Sequence, residues 1–433
     1  MRRLGVAVLA ALVAGSMGAG VPQVGATQQP SGGVVLVPDR VFDGETMHTD
    51  WAVLIRGNRI GYAGPADDLV TTADVRWVDL PGKTVLPGLI EGHSHFFLHP
   101  YNETAWTDQV LQESLGERTA RAVVHAAATL RAGVTTVRDL GTEGADFADV
   151  GIKAAIEKGV IPGPRMLIST KALVTSGSYG PRGAPEQTLH RGAEVADGFD
   201  DLTRKTRRQI GAGADWIKVY ADYRWGPDGT AQPTFTQAEL DLIVEIASSS
   251  GRPVVAHAAT AEGMRRAVLA GVRTIDHGDG GDAEVFALMA ERGVALCPTL
   301  AAGDAILQYR GWNKGVDPEP ARIVAKRRSF QEALAAGVPI CFGGDVGVYP
   351  HGDNVRELEL MHDYGMTRLE VLRAATAGNA SIFGLTELGR LAEGKLADVI
   401  TVEGNPADDL SALRQIVAVF KDGELMHEAD GWN

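Results

Sequence analysis

A repeated unit in the middle of the chain constrains the fold more than any other feature of the sequence. Helix-like runs there end on a glycine and are followed at once by β-branched, apolar residues, as in "TLRAGVTTVRDLG", "VLAGVRTIDHGD" and "ALAAGVPICFGGD". A glycine just past a helix end adopts the left-handed conformation at little cost. The apolar run after it is typical of a strand that is buried on both faces. The sequence therefore predicts repeated βα units and a parallel sheet.

Eight strands of this kind are predicted, and in an α/β protein they favour a (β/α)8 TIM-like barrel. They are Thr84–Ile90, Thr135–Leu140, Arg165–Leu173, Trp216–Tyr220, Pro253–His257, Thr274–His277, Ala295–Thr299 and Pro339–Phe342. The alternative is an open, doubly wound sheet, which would normally lack polar residues at the ends of so many strands.

The two ends of the chain differ from the middle and are similar to each other. Short alternating runs broken by Asp-Gly and Pro-Gly turns lie on both sides of the barrel region, for example "GVVLVPDRVFDGETM" and "QIVAVFKDGELMHE", and such runs are typical of strands. We therefore expect a small β-sandwich domain built from residues 34–82 and 386–428, around a barrel of residues 83–385. Before it, Met1-Arg2-Arg3 and the apolar run "LGVAVLAALVAGSMGAG" indicate a signal peptide, 1–26, that is cut after Ala26.

The composition of the chain limits the classes of partner that the protein can bind. The net charge of −14 argues against nucleic acid and against an anionic membrane. After removal of the signal, whose apolar run is too short to span a bilayer comfortably, we expect a secreted or periplasmic protein that acts on a small molecule. Self-association as a homo-oligomer is left open. Cys297 and Cys341 lie on neighbouring predicted strands, and a disulfide is conceivable in an exported protein, but we interpret both as small apolar fillers of the core.

The segment "PGLIEGHSHFF" places His93 and His95 at a strand end. Because residues i and i+2 of a strand point to the same side, the two imidazoles can bind one divalent cation. On a helix the same pair would diverge. Taken alone, the pair is also consistent with two polar residues in a loop.

Polar residues fall at the ends of four other predicted strands, where a barrel carries its catalytic groups. They are Lys218 in "GADWIKVY", His257 in "VVAHAAT", His277 in "TIDHGD" and Asp345 in "CFGGDVGVYPHG". With the HxH pair they make four imidazoles, one amine and one carboxylate at equivalent places. Such a set is hard to explain as separate structural residues and predicts a metal site.

Lys218 needs a separate explanation, since an ammonium with a pKa of about 10.4 repels a cation. It could be desolvated and neutral, or CO2 could convert it to a carbamate whose two oxygens bridge two cations. A structural ion pair with Asp345 is the alternative.

Together, HxH on strand 1, Lys on strand 4, His on strands 5 and 6 and Asp on strand 8 resemble the pattern of the amidohydrolase superfamily. The segments "VLPGLIEGHSH", "GADWIKVY" and "LGRLAEGKLADVITVEGNP" are similar to its imidazolonepropionase-related branch, which includes prolidase-like enzymes and enzymes that hydrolyse amide-linked toxins such as ochratoxin. The resemblance extends from about Val34 to about Leu425.

The resemblance implies a binuclear centre. The HxH pair and Asp345 would bind the more buried cation, His257 and His277 the more exposed one, and an N6-carboxylated Lys218 would bridge both. Two zinc ions are expected, although the ligand types also suit manganese, cobalt or iron. The nucleophile would be a hydroxide bridging the cations. Asp345 would accept its proton and donate it to the leaving nitrogen.

Substrate contacts are predicted at two loops. In "YADYRWGPDGTAQPTF", a glycine-containing segment that suits a partly mobile lid, Tyr220 and Tyr223 could form apolar walls and Arg224 could clamp a substrate carboxylate. A surface loop packed on the barrel rim is the alternative. Tyr179 stands where many relatives have a histidine, and His351 resembles a position near the substrate in relatives or is a loop residue.

The leading expectation is metal-dependent hydrolysis of an amide bond in a small substrate such as a dipeptide or an N-acyl amino acid. The same centre could instead act as a lactonase, esterase or phosphotriesterase. A non-catalytic secreted barrel is the third hypothesis, although such a protein would be expected to lack one or more of the six ligands. Arg138 and Asp139 in "TTVRDLG" could be structural ion partners at the barrel mouth.

Overall fold

A computed structural model describes residues 32–183, 187–225, 228–429 and 432. The predicted signal peptide, 1–26, lies outside these residues. Among the described helices, none combines the length and the apolar character that crossing a bilayer requires.

The described residues form nineteen strands, which we number in chain order. They are β1 (Val34–Phe42), β2 (Met47–His48), β3 (Trp51–Arg56), β4 (Arg59–Pro65), β5 (Arg76–Pro87), β6 (Leu89–Ser94), β7 (Val134–Asp139), β8 (Arg165–Ile168), β9 (Leu173–Val174), β10 (Glu194–Val195), β11 (Ile217–Tyr220), β12 (Asp222–Arg224), β13 (Ala231–Pro233), β14 (Val254–Thr260), β15 (Thr274–Gly280), β16 (Ala295–Cys297), β17 (Val399–Glu403), β18 (Ile416–Lys421) and β19 (Glu424–Glu428).

Twelve α-helices lie between them in the same part of the chain. They are α1 (Trp106–Leu111), α2 (Leu115–Arg131), α3 (Ala148–Glu157), α4 (Gly198–Ala212), α5 (Gln237–Ser248), α6 (Ala261–Ala270), α7 (Ala283–Arg292), α8 (Leu300–Tyr309), α9 (Ala321–Ala335), α10 (Val355–Asp363), α11 (Arg368–Arg373) and α12 (Asn379–Phe383). The predicted glycines at helix C-termini are confirmed where a helix is followed by a strand. Gly271 ends α6 with φ 94° and Gly293 ends α7 with φ 64°, both left-handed.

Strands from both chain ends share one eight-stranded sheet, in the order β19-β18-β17-β5-β1-β3-β4 with β2 beside β1. The two ends meet where β17 pairs antiparallel with β5. We call this eight-stranded sheet the terminal sheet. Apolar residues of its strand β3, such as Val53 and Ile55, are fully buried. That it forms a β-sandwich stays a prediction.

The middle of the chain is α/β, as predicted. Parallel strands form one sheet in the order β6-β7-β8 and another in the order β10-β9-β11-β14-β15-β16. On one side, the amide of Trp216 donates to the carbonyl of Ile168 at 3.1 Å. On the other, parallel bridges join Leu296 to Ile340 and Ser94 to Val346. The first sheet is therefore hydrogen-bonded to the residue before β11, and residues 340 and 346 bridge to one sheet each, an arrangement that is TIM-barrel-like.

Three predicted strands differ from the structure. The predicted strand Arg165–Leu173 is divided between β8, which ends at Ile168, and β9, which begins at Leu173 in the other sheet. The predicted strand Thr84–Ile90 is divided, because Thr84 to Pro87 end β5 in the terminal sheet and β6 begins only at Leu89. Pro87 has no N–H to continue a ladder, and a Cβ on Gly88 would lie 2.2 Å from the Thr135 hydroxyl. The chain therefore changes sheets at this Pro-Gly pair, and His93 lies within β6 instead of after a strand.

The predicted strand Pro339–Phe342 forms only the bridge at Ile340. A covalent link accompanies that sparse pairing, because Cys297 of β16 and Cys341 form a disulfide. Both cysteines are fully buried. They do fill the core, but their interpretation as separate fillers was wrong, since burial on adjacent parallel segments brings the two thiols together.

Candidate metal centre and substrate cavity

Three predicted ligands converge at the ends of the strands. The Nε2 atoms of His93 and His95 lie 3.2 Å apart. The Oδ1 atom of Asp345 is 3.5 Å from the first and 3.3 Å from the second. These three residues form a group that could hold a metal ion. Asp345 reaches it from a left-handed backbone, with φ 63°, and its amide donates to the carbonyl of His93 at 2.9 Å.

A hydrogen bond orients the His95 ring toward this point. Its Nδ1 lies 2.9 Å from the carbonyl oxygen of Gly141, and a carbonyl can only accept. Nδ1 therefore carries a proton, and Nε2 faces the ligand group, which is the usual arrangement for a metal-binding histidine. Burial would lower the pKa of His95, but the Asp345 carboxylate outweighs it and raises that pKa to about 9. A proton and a divalent cation would compete for this position.

His257 of β14 and His277 of β15 lie beside the first group. Their ring centroids lie 4.3 Å apart, and the His277 ring is 5.3 Å from that of His93. Burial and the nearby Lys218 charge lower the pKa of His257 to about 3, and burial holds the pKa of His277 well below its usual value. Both rings are therefore neutral at neutral pH, the form that binds metals.

Lys218 is 1% exposed and lies under the histidines. Its Nζ donates to Oδ2 of Asp276 at 2.7 Å, which corrects the alternative of an ion pair with Asp345. Asp276 is also 3.2 Å from Nδ1 of His93 and 3.4 Å from Nη2 of Arg138. Burial lowers the pKa of Lys218, which favours the neutral amine.

Asp276 is a residue that sequence reasoning missed. It stands directly before His277 in "TIDHGD", and its signal was a charged residue inside an otherwise apolar strand. Arg138 and Asp139 do not pair with each other. Arg138 pairs with Asp276 and donates from Nε to the carbonyl of Gly92 at 2.7 Å, and Asp139 accepts from the amide of Phe96 at 2.8 Å. The two residues thus hold the backbone on either side of the HxH pair.

A cavity of about 740 Å³ opens above the histidines. All four imidazoles and Asp345 line it, as do the predicted substrate contacts Tyr179, Tyr220, Tyr223 and Arg224. Tyr223 and Arg224 lie on a short antiparallel hairpin, β12 with β13, where the sequence predicted a partly mobile loop. The aromatic wall and the ligand group therefore share one space.

His351 lies elsewhere. Its ring stacks on His125, with centroids 4.2 Å apart, and its Nε2 is 3.1 Å from the carbonyl of Leu98. It is not among the described residues that line the cavity. Leu98, to which it is hydrogen-bonded, does line the cavity, and a substrate contact by His351 stays a prediction.

Glu143 lines the cavity and was also missed. Its Oε2 accepts hydrogen bonds from the Tyr179 hydroxyl and from Nε1 of Trp106, the latter at 3.0 Å. In the sequence it is one acidic residue in the glycine-rich turn "LGTEGAD" after β7. Only its place after a barrel strand could have indicated it.

The sequence matches the amidohydrolase family model over residues 84–426. Ochratoxinase from Aspergillus niger is 32% identical over 377 residues, which cover 79% of this chain and 75% of that protein. The crystal structure of a Xaa-Pro dipeptidase with bound methionine in its active site superposes with a TM-score of 0.80 at 30% identity, covering 92% of this chain and 100% of the other. The crystal structure of A. niger ochratoxinase gives 0.77 at 27% identity and covers 92% and 96%.

Proposed function

Since this chain belongs to the amidohydrolase family and is a prolidase-like hydrolase of carbon–nitrogen bonds, we propose that it cleaves the amide bond of a small substrate such as a dipeptide or an N-acyl amino acid. One observation carries the proposal: four imidazoles and the Asp345 carboxylate face one cavity large enough for such a molecule. The related ochratoxinase and Xaa-Pro dipeptidase support this substrate class.

The donor set fits a binuclear metal centre. The HxH pair and Asp345 would hold one cation, and the neutral rings of His257 and His277 would hold the other. Lys218, buried beneath them, would bridge both as N6-carboxylysine, and its remaining N–H could still donate to Asp276. Imidazole and carboxylate ligands favour zinc. When bound, the two cations would polarise the scissile carbonyl and supply a bridging hydroxide.

The residues of the chain would then perform three tasks. Asp345 would accept a proton at one carboxylate oxygen and donate it to the leaving nitrogen. Tyr220 and Tyr223 would exclude water from the apolar part of the substrate. Arg224, whose Nη2 now donates to the Tyr223 hydroxyl at 3.1 Å, would bind the free carboxylate of the substrate. Tyr179 would keep the wall in place through Glu143.

A screen of the purified protein tests the proposal. Zinc-loaded and chelated samples in bicarbonate buffer are assayed against dipeptides, N-acyl amino acids, lactones and aryl phosphates. Zinc-dependent cleavage of the amides is expected. Turnover of lactones or phosphotriesters alone would favour the esterase alternative with the same centre, and absence of tightly bound metal in folded protein would favour the non-catalytic barrel.

Lys218→Ala tests the bridge. Because the alanine removes the carbamate, metal content measured by mass spectrometry and activity should both fall, and added short carboxylic acids should restore part of the activity. Retention of two metals per chain in this variant would contradict the assignment of Lys218.

We further propose a closed (β/α)8 barrel over residues 83–385, with residues 34–82 and 386–428 as a separate β-sandwich domain. Export of the protein is proposed as well. It is supported by the buried disulfide, since such bonds persist in oxidising compartments. N-terminal sequencing of the protein from the medium or periplasm should begin at Thr27, and recovery of an intact N-terminus would contradict cleavage.

A further inference from the structure

Glu143 is a buried carboxylate that the proposed reaction does not use. The residue is 2% exposed, and its backbone is left-handed, with φ 48°, a conformation that a non-glycine residue keeps only when its surroundings hold it there. Arg118 supplies part of that hold, because its Nη1 donates to the Glu143 carbonyl at 2.7 Å. The side chain is thus fixed in place toward the cavity that it lines.

The two carboxylate oxygens of Glu143 have different surroundings. Oε2 receives the Tyr179 hydroxyl and the Trp106 indole N–H. Oε1 and the His95 ring both face Gly141, because a Cβ built on this glycine would lie 3.6 Å from Oε1 and 3.8 Å from Cε1 of His95. One oxygen is therefore held by the wall, and the side chain lines the same cavity as His95.

The charge of Glu143 has no ion-pair partner among the described lysines, arginines and histidines. Arg118 is the neighbouring cation, but its donors go to the backbone carbonyls of Phe97, Thr142 and Glu143. A buried carboxylate that makes no direct ion pair can still accept a charge-assisted hydrogen bond from a ligand ammonium.

The surroundings of the carboxylate also favour a cation. Tyr179 is packed edge-on against Trp106, with ring centroids 5.3 Å apart, and against Tyr223 at 5.0 Å. Aromatic rings attract ammonium groups through their faces. A carboxylate within an aromatic wall recognises an amine better than it recognises a neutral acyl group.

We propose that Glu143 binds a positively charged amine of the substrate and so selects the substrate class. The amine is the α-ammonium of a dipeptide, and an ammonium on the side chain of the acyl residue is the other source of the same chemistry. Resting on the proposed amide hydrolysis, the inference predicts that dipeptides react faster than N-acyl amino acids with the same leaving residue. Glu143 is a specificity residue and takes no part in bond cleavage.

Three matched substrates test the proposal: an alanyl dipeptide, its N-acetyl derivative, and an N-acetyl-lysyl analogue with the same leaving residue. In Glu143→Gln the amide oxygen can still accept from Tyr179 and Trp106, so the wall should persist. We expect kcat/KM for the dipeptide to fall about 10- to 100-fold, since hydrogen bonds to charged groups contribute about 1.5–3 kcal/mol, and kcat/KM for the N-acetyl derivative to change less than about threefold. A selective loss with the lysyl analogue would assign the amine to the side chain. Equal losses with all three would overturn the proposal.

A binding measurement keeps the two proposals separate. Calorimetry with phenethylamine and with N-acetylphenethylamine needs no turnover, and the wild type should bind the amine at least about tenfold more tightly, a preference that Glu143→Gln removes. Glu103→Gln, which changes an exposed carboxylate outside the cavity, serves as the matched control. If the amine binds no better than its acetamide, Glu143 is not an ammonium site. If no amide is cleaved but the amine preference is present, the proposed function fails and the site stands.

Discussion

The region beneath the candidate metal site and the core of the terminal sheet are both buried, but one consists of ionisable side chains and the other of apolar ones. Under the histidines, the ionisable side chains of Arg138, Lys218 and Asp276 contact one another inside the protein. In the terminal sheet, positions such as Val53 and Ile55 are apolar and buried. Burying charges costs free energy that apolar packing does not. The cost is therefore concentrated where ligands must be held in place.

Backbone strain follows the same division. The left-handed residues His277, Thr299 and Asp345 all lie at the cavity. Of the described non-glycine residues of the terminal sheet and its turns, only Asp50 and Asp422 are left-handed, and both are turn residues of a type that tolerates this conformation. A strained backbone that the surrounding residues hold in place is typical of functional sites. Each prediction below tests one part of this contrast.

Asp345→Asn should have the largest effect. The amide can still face a cation but cannot take up a proton, so turnover should fall about 10²- to 10⁴-fold, the usual contribution of a general acid–base group. Most of the metal and the melting temperature should be kept. Steady-state kinetics and metal analysis of the same sample measure both, and activity near that of the wild type would refute the role of Asp345.

Asp276→Asn tests the charged group itself. Removing this carboxylate leaves the buried Arg138 guanidinium without its ion-pair partner, which should cost about 3–5 kcal/mol of unfolding free energy. Denaturant unfolding measures the loss. A matched change, Asp228→Asn on an exposed turn, should cost far less. Equal losses in the two variants would mean that the charges beneath the histidines are not coupled.

Much of this could be read from the sequence, and the remainder could not for physical reasons. Strand periodicity and the rule that barrels carry functional groups at the C-terminal ends of their strands were enough to predict one shared site. The structure places the predicted residues around one cavity: His93, His95, His257, His277 and Asp345. Asp276 and Glu143 were missed because their significance depends on partners far away in the chain, such as Lys218 for the first and Tyr179 for the second. The change of sheets at Pro87-Gly88 was missed because an apolar run looks the same in either sheet.

Removal of the disulfide should reduce stability by an amount between the losses expected for Asp276→Asn and Ile55→Val. It links β16 to the segment that leads to Asp345, where regular strand pairing is reduced to one bridge. The bond closes a loop of 44 residues, for which the entropy of the unfolded chain suggests about 2–4 kcal/mol. The double variant Cys297→Ala/Cys341→Ala should lose that much stability in denaturant unfolding and should also bind metal more weakly. Unchanged stability would show that packing alone closes this edge.

Ile55→Val in the terminal sheet should have the smallest effect. It removes one methyl group from a fully buried apolar position, which usually costs about 0.5–1.5 kcal/mol. Because no charged group loses a partner and Ile55 is not among the described residues that line the cavity, kcat/KM and metal content should stay at wild-type values. Thermal unfolding and kinetics of this variant measure the two quantities independently. A loss of metal as large as that in the Asp276 variant would show that the two regions are energetically one unit, and the division between them would have to be abandoned.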